Sequence, residues 1–275
     1  MFKFLFVFSV LLSLVGCSPK KKAEQGPAKP LILVTIPPYQ TLVRELGGEA
    51  FDVETVAPSN ADPHSFEPTF AQIAPLKKGK VWFRIGESFE KKLLPLLNDT
   101  VCLNISQGEN LIERDRHLWL SPKQMTSQAR VIAQTLSEHF PQEKEAIQVR
   151  LEKLELSLGA LDVEIAERLK NLSARSFIVS HPAFAYFCRD YHCEQLSVEH
   201  EEKEPRPQEI EAFLQEVQSV HPGLAVALPQ HNNKGAQAIA ERLHIPVRVI
   251  DPYDASYTDT IRKLADLLVN PYHSQ

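Results

Sequence analysis

The hydrophobic pattern of this chain switches repeatedly between short continuous apolar runs and longer segments with helical spacing. Residues 31–36 (LILVTI), 51–56 (FDVETV), 80–85 (KVWFRI), 101–105, 176–180 (SFIVS), 224–228 and 247–250 read as strands. Between them, residues 39–47, 70–77, 183–191, 207–220, 234–243 and 257–268 read as helices. A further helix opens at Ser121-Pro122, with serine as N-cap and proline in the first turn, and runs to about Phe140. Strands alternating with helices predict an α/β architecture.

Residues 141–172 stand apart from this alternation. Apolar side chains recur at Ile147, Leu151, Leu154, Leu158, Leu161, Ile165 and Leu169, at intervals of three and four that mark one face of a helix. Such a helix is about 45 Å long at 1.5 Å per residue. The pattern covers only about three heptads and lacks systematic charge pairing at the flanking positions, which disfavours a coiled-coil arm. It predicts instead a rigid strut (141–172) between an N-terminal lobe (31–140) and a C-terminal lobe (173–275).

The first sixteen residues, MFKFLFVFSVLLSLVG, carry one positive charge and then an apolar run too short to span a bilayer comfortably. They end in Leu14-Val15-Gly16 against Cys17, the pattern of a cleavable lipoprotein signal. Residues 1–16 are therefore expected to be removed and Cys17 to be lipidated, giving stable anchoring through more than one acyl chain. Residues 17–30 (CSPKKKAEQGPAKP) form a polar linker that cannot bury a core. Lys20, Lys21 and Lys22 within it suit either anionic headgroups or plain solvation. The expected location is extracytoplasmic, on the periplasmic or cell-surface side of a membrane.

An apolar fraction of 43%, a charged fraction of 24% and a net charge of −5 describe a mildly acidic globular protein. With no basic stripe interleaved with aromatics, nucleic acid is not an expected partner. Besides Cys17, the cysteines are Cys102, Cys188 and Cys193. In an oxidising compartment Cys188 and Cys193 could close a small loop, and two free core thiols are an equal alternative.

Four candidate site residues share one context. His64 lies in the loop after the strand FDVETV, His117 just before the proline-opened helix, His181 directly after SFIVS, and Asp251 directly after VRVI. Loops at the carboxyl ends of strands are where open α/β sheets place ligands. Two of the four come from each lobe, so they could converge on a cleft between lobes. Their separations form no local metal signature, and the case rests on the four together. His139, His192, His221, His231, His244 and His273 lack this context and read as surface or packing residues. The acidic run Glu199-His200-Glu201-Glu202-Lys203-Glu204 reads as a solvated loop before Pro205.

Around these residues the chain resembles the metal receptors, or solute-binding proteins, of bacterial ABC importers for zinc, manganese and ferrous iron. Asn60-Ala61-Asp62-Pro63-His64-Ser65-Phe66-Glu67-Pro68 resembles the family's first motif. Asp115-Arg116-His117-Leu118-Trp119-Leu120-Ser121-Pro122 resembles the second, with arginine where the family has proline. His181-Pro182-Ala183-Phe184-Ala185-Tyr186-Phe187 resembles the third, with proline where the family has aspartate, and Ile250-Asp251-Pro252 the fourth. The resemblance implies two α/β lobes bridged by one long helix, with one divalent transition ion held in the cleft by His64, His117, His181 and Asp251. It further implies a monomer that delivers this ion to a membrane permease driven by a cytoplasmic ATPase.

Three imidazoles and a carboxylate suit zinc first, with manganese and ferrous iron as alternatives, and not the all-oxygen shells of calcium or magnesium. Each imidazole then needs an acceptor for its second nitrogen, for which Asp62, Glu67 and Asp115 are near in sequence. Arg116 is expected to point to solvent. The histidine-rich loop that many zinc receptors carry after the first motif is absent, since no histidine lies between Ser65 and Arg116. Two other readings compete. A metal-dependent hydrolase would need an open coordination position and a general base, and the chain has no HExxH, G-x-S-x-G or P-loop pattern. A metal-stabilised surface adhesin would reuse the same fold.

Overall fold

The computed structural model describes residues 28–107, 111–112, 115–172, 174–199 and 207–272. The signal segment, Cys17, Lys20–Lys22, most of the linker, His200–Glu204 and His273 lie outside the described residues.

The described chain forms two four-stranded parallel sheets. β1 (Leu31–Val34), β2 (Asp52–Thr55), β3 (Gly79–Arg84) and β4 (Val101–Asn104) are ordered β2-β1-β3-β4. β5 (Ser176–Val179), β6 (Glu194–Ser197), β7 (Ala225–Ala227) and β8 (Val247–Val249) repeat the order as β6-β5-β7-β8. In each sheet the chain first steps to one side of its opening strand and then crosses to the other. The strand order therefore reverses beside β1 and beside β5, the switch points where α/β sheets open a crevice at their carboxyl edges. Parallel strands are covered on both faces, so the central ones need continuous apolar runs. Ile32, Leu33, Val34, Phe177, Ile178 and Val179 are accordingly fully buried.

The helices are α1 (Pro37–Gly47), α2 (Phe70–Leu76), α3 (Ser88–Leu93), α4 (Pro122–His139), α5 (Lys144–Leu169), α6 (Ala185–Tyr191), α7 (Pro207–Gln218), α8 (Lys234–Leu243) and α9 (Tyr257–Val269). α4 starts as its sequence dictates: Ser121 Oγ accepts the backbone N–H of Gln124 at 3.2 Å, and Pro122 occupies the first turn. α1 begins two residues earlier than its apolar spacing suggests, because Pro37 and Pro38 fit a first turn that has no N–H to satisfy. It stops at Gly48, whose φ of +58° belongs to the left-handed region. A Cβ there would also stand 2.7 Å from the Arg150 guanidinium.

α5 is the strut. Its first predicted turn, Pro141–Glu143, is a short 3-10 helix, and the α-helix proper spans 26 residues, about 39 Å. All seven apolar positions read from the sequence are buried. They pack against α1 and α4 of the first lobe and α6 and α9 of the second, so one hydrophobic cluster runs through both halves. The face is thus used within the chain. Hydrogen bonds also cross between lobes: Trp119 Nε1–H donates to the Pro252 carbonyl at 2.7 Å, and the Tyr186 hydroxyl to the Asp115 carbonyl at 2.7 Å.

Two elements were not foreseen. α3 is only six residues long. β6 (EQLS) is an edge strand with one strongly apolar residue, too little to produce a hydrophobic run.

Candidate metal centre

Seven of the eight strands lead into loops that bring a titratable group to the cleft. His64 follows β2, Glu87 follows β3, and Asp115 with His117 follow β4. His181 follows β5, Glu199 β6, His231 β7 and Asp251 β8.

The first loop is fixed from within: Asp62 Oδ1 accepts the backbone N–H of His64 at 2.9 Å, and its Oδ2 accepts the Ser65 hydroxyl at 2.8 Å. His64 Nδ1 then meets Glu87 Oε2 at 3.3 Å. His117 is held twice by Asp115 Oδ1, through its backbone N–H and through Nδ1, each at 2.7 Å. His181 Nδ1 meets Glu199 Oε2 at 3.0 Å. Each of the three imidazoles therefore turns Nδ1 to a carboxylate of its own. A carboxylate can only accept, so Nδ1 carries the proton, and in the neutral ring Nε2 keeps the lone pair.

Those lone pairs converge. His64 Nε2 and His117 Nε2 are 3.4 Å apart, and one nitrogen from each of His64, His117 and His181 lies within 4.8 Å of the others. Two nitrogens each 2.0–2.1 Å from a tetrahedral ion lie about 3.3–3.4 Å apart, so the observed spacing already matches a shared cation. His181 Nε2 is buried with no hydrogen-bond partner among the described residues, a cost that a bound ion removes.

The electrostatics suit a cation. His117 is 2% exposed, and burial, helped by the neighbouring imidazoles, lowers its pKa and keeps the ring neutral despite Asp115. Burial alone would raise the Glu87 carboxyl, but the hydrogen bond from His64 and the basic groups around it, the Arg116 guanidinium among them, outweigh it, so its pKa is lowered. Arg116 does not point away into solvent as expected: its side chain lies along Gly86, and its charge acts on Glu87.

Of the acceptors proposed from sequence, Asp115 orients His117, while Asp62 shapes the loop of His64. Glu67 is exposed and pairs with Lys92. Glu87 and Glu199 were missed, although both follow strands in the manner of the candidate ligands. Asp251 stands outside the three-histidine group. Its Oδ1 accepts from Gln230 Nε2 and from the Tyr253 backbone N–H, both at 2.9 Å. Cys188 and Cys193 are free thiols, and burial pushes both thiol pKa values up. His231, read from sequence as a surface or packing residue, stacks on His181 with centroids 4.1 Å apart and planes 7° from parallel. Burial first, and His181 second, push its pKa down to about 4. His192, His221 and His244 turn the chain in the left-handed region.

Residues 32–270 match the family described as ZnuA, zinc-uptake complex component A, periplasmic. The chain belongs to this family. A crystal structure of ZnuA is 31% identical, covers 88% of this chain and 98% of its own, and superposes with a TM-score of 0.84. A Chlamydia trachomatis protein provisionally named metal-binding is 27% identical over 96% of this chain and 99% of its own length. The zinc-binding lipoprotein AdcA of Streptococcus pneumoniae is 27% identical over 68% of this chain and 42% of its own length. Among the described residues no helix is long and apolar enough to cross a membrane.

Proposed function

We propose that this protein is a lipid-anchored receptor that captures one divalent transition-metal ion as cargo and delivers it to an ABC permease powered by a cytoplasmic ATPase. The observation that carries the reading is the convergence of three Nε2 lone pairs, two of them 3.4 Å apart, each on an imidazole whose Nδ1 is engaged by a carboxylate. His64, His117 and His181 are the ligands. Asp251 supplies the fourth donor by leaving Gln230 and turning inward. Cys17 carries the lipid, and residues 17–30 tether the two lobes to the membrane.

Nitrogen-rich ligation and the carboxylate-bound tautomers favour Zn2+, with Mn2+ and Fe2+ as lesser candidates. No open position beside a general base is needed for capture and release, so the site works without catalysis. The test is elemental analysis of a fragment beginning after Cys17, free of any histidine tag, dialysed against equal free zinc, manganese and ferrous iron. About one ion per chain, zinc foremost, is expected; a chain that retains none overturns the reading.

A further inference from the structure

The structure holds a second set of donors on the outer side of the three-histidine group. His181, Glu199 and His231 each offer a ligand atom within 4.8 Å of the others. They line a cavity of about 540 Å³ together with Asp62 and His64, and His117 is not among its walls. Glu199 and His231 therefore lie on the solvent side of His181, and His117 on the inner side. His231 Nε2, like His181 Nε2, is buried and has no hydrogen-bond partner among the described residues. His181 is 5% exposed. Two orphaned imidazole nitrogens in one cavity call for a cation or a donor.

We propose that Glu199 and His231, with His181 as the shared residue, form an outer ion position that receives the incoming cation before the inner histidines take it. This rests on the receptor reading and adds a route to it.

Chemistry makes the two positions alternate. A neutral imidazole has one lone pair, so His181 ligates one ion at a time. The rings of His181 and His231 are parallel, which places their in-plane lone pairs in separate layers. An ion on His231 and Glu199 therefore gains His181 only as His231 tilts out of the stack. As the ion moves inward, Glu199 is left accepting from His181 Nδ1–H and His231 returns to the stack. Asp62 and Glu199 set two negative charges on the cavity wall against the one ammonium of Lys234, a balance that favours cations.

The experiment removes the inner position and asks what is left. His64→Ala/His117→Ala, tag-free and checked for folding by circular dichroism, is titrated with Co2+ and followed by its visible absorption. One ion is expected, bound at least about 100-fold more weakly than in the wild type, and adding His231→Ala should abolish it. His64→Ala alone is the milder variant should the double one unfold. A variant that binds nothing, or whose residual binding survives His231→Ala, overturns the outer position. In the otherwise native chain, His231→Ala should slow Co2+ association about tenfold while stoichiometry stays at one; an unchanged rate also overturns it. Wild type that binds no ion at all would instead sink the receptor reading, so the two failures are distinguishable.

Discussion

Nε2 of His64 faces Nε2 of His117 at 3.4 Å, across 53 residues of chain. With each Nδ1–H given to a carboxylate, the neutral rings have no proton left at Nε2, so the contact sets two lone pairs against each other. Replacing either histidine by alanine should therefore remove a ligand outright. The expected loss of zinc affinity is about 100-fold or more, beyond the 10–100-fold typical of changes one shell out. Competition against a chelating dye measures it, and an affinity within threefold of wild type would refute the assignment.

The carboxylates behind the proposed ligands make a graded prediction. Glu87→Gln, Asp115→Asn and Glu199→Gln keep the shape but loosen control of which imidazole nitrogen holds the proton. Each should weaken zinc binding by roughly 10–100-fold with stoichiometry retained. Glu67→Gln, which alters only an exposed pair with Lys92, should leave affinity unchanged. The same titration separates the two groups, and equal effects would show that proximity in sequence was a sufficient guide.

The pH dependence of the ion-free protein isolates His231. Its native pKa lies near 4, against about 6.5 in the unfolded chain. Between those values the unfolded state holds a proton that the native state lacks, so lowering the pH favours unfolding. Wild type should accordingly lose stability relative to His231→Gln as pH falls from 7 to 5. Urea midpoints of both proteins at each pH provide the check. A difference that stays constant with pH would place His231 in a solvated, unperturbed setting.

The strut offers a pair of opposite outcomes on adjacent residues. Leu158 is 1% exposed within the apolar face of α5, and Leu158→Ala should cost about 2–5 kcal/mol. Gly159, next to it, is exposed, and a Cβ there meets nothing within 4 Å. Gly159→Ala should stabilise by about 0.5–1 kcal/mol, since alanine restricts the unfolded chain and glycine weakens a helix interior. Thermal unfolding of the ion-free protein resolves both signs.

The same helix limits how the cleft can move. α5 packs on helices of both lobes, and Trp119 to Pro252, Tyr186 to Asp115 and Gln230 to Ser59 bridge the two halves. Ion release should come from shifts of the loops carrying His64, His231 and Asp251, not from wide hinge opening. Small-angle scattering with and without zinc should give nearly superimposable curves; a large change in radius of gyration would contradict this.

The sequence by itself determined the parts of this protein that follow from local rules. Period and apolar content set the buried face of α5 from Ile147 to Leu169, the central strands β1 and β5, and the Ser121-Pro122 start of α4. The positions of His64, His117, His181 and Asp251, just beyond strands or before a capped helix, made them candidate ligands together, and a resemblance carried by the same residues agreed. Only the tertiary structure decided the rest. Glu87 and Glu199 sit in short polar stretches that look solvated one at a time, and become partners of His64 and His181 only because two parallel sheets aim their carboxyl edges at one cleft. His231 also lies just beyond a strand read from the sequence, but its stacking on His181 joins the loops after β5 and β7 and exists only in the folded sheet. Arg116 was drawn along Gly86 toward Glu87 by charge that lies thirty residues away in the chain at most and adjacent in space. Hydrophobic periodicity is written into neighbouring positions, whereas hydrogen bonds between side chains depend on the crossing of strands, and that crossing exists only once the chain has folded.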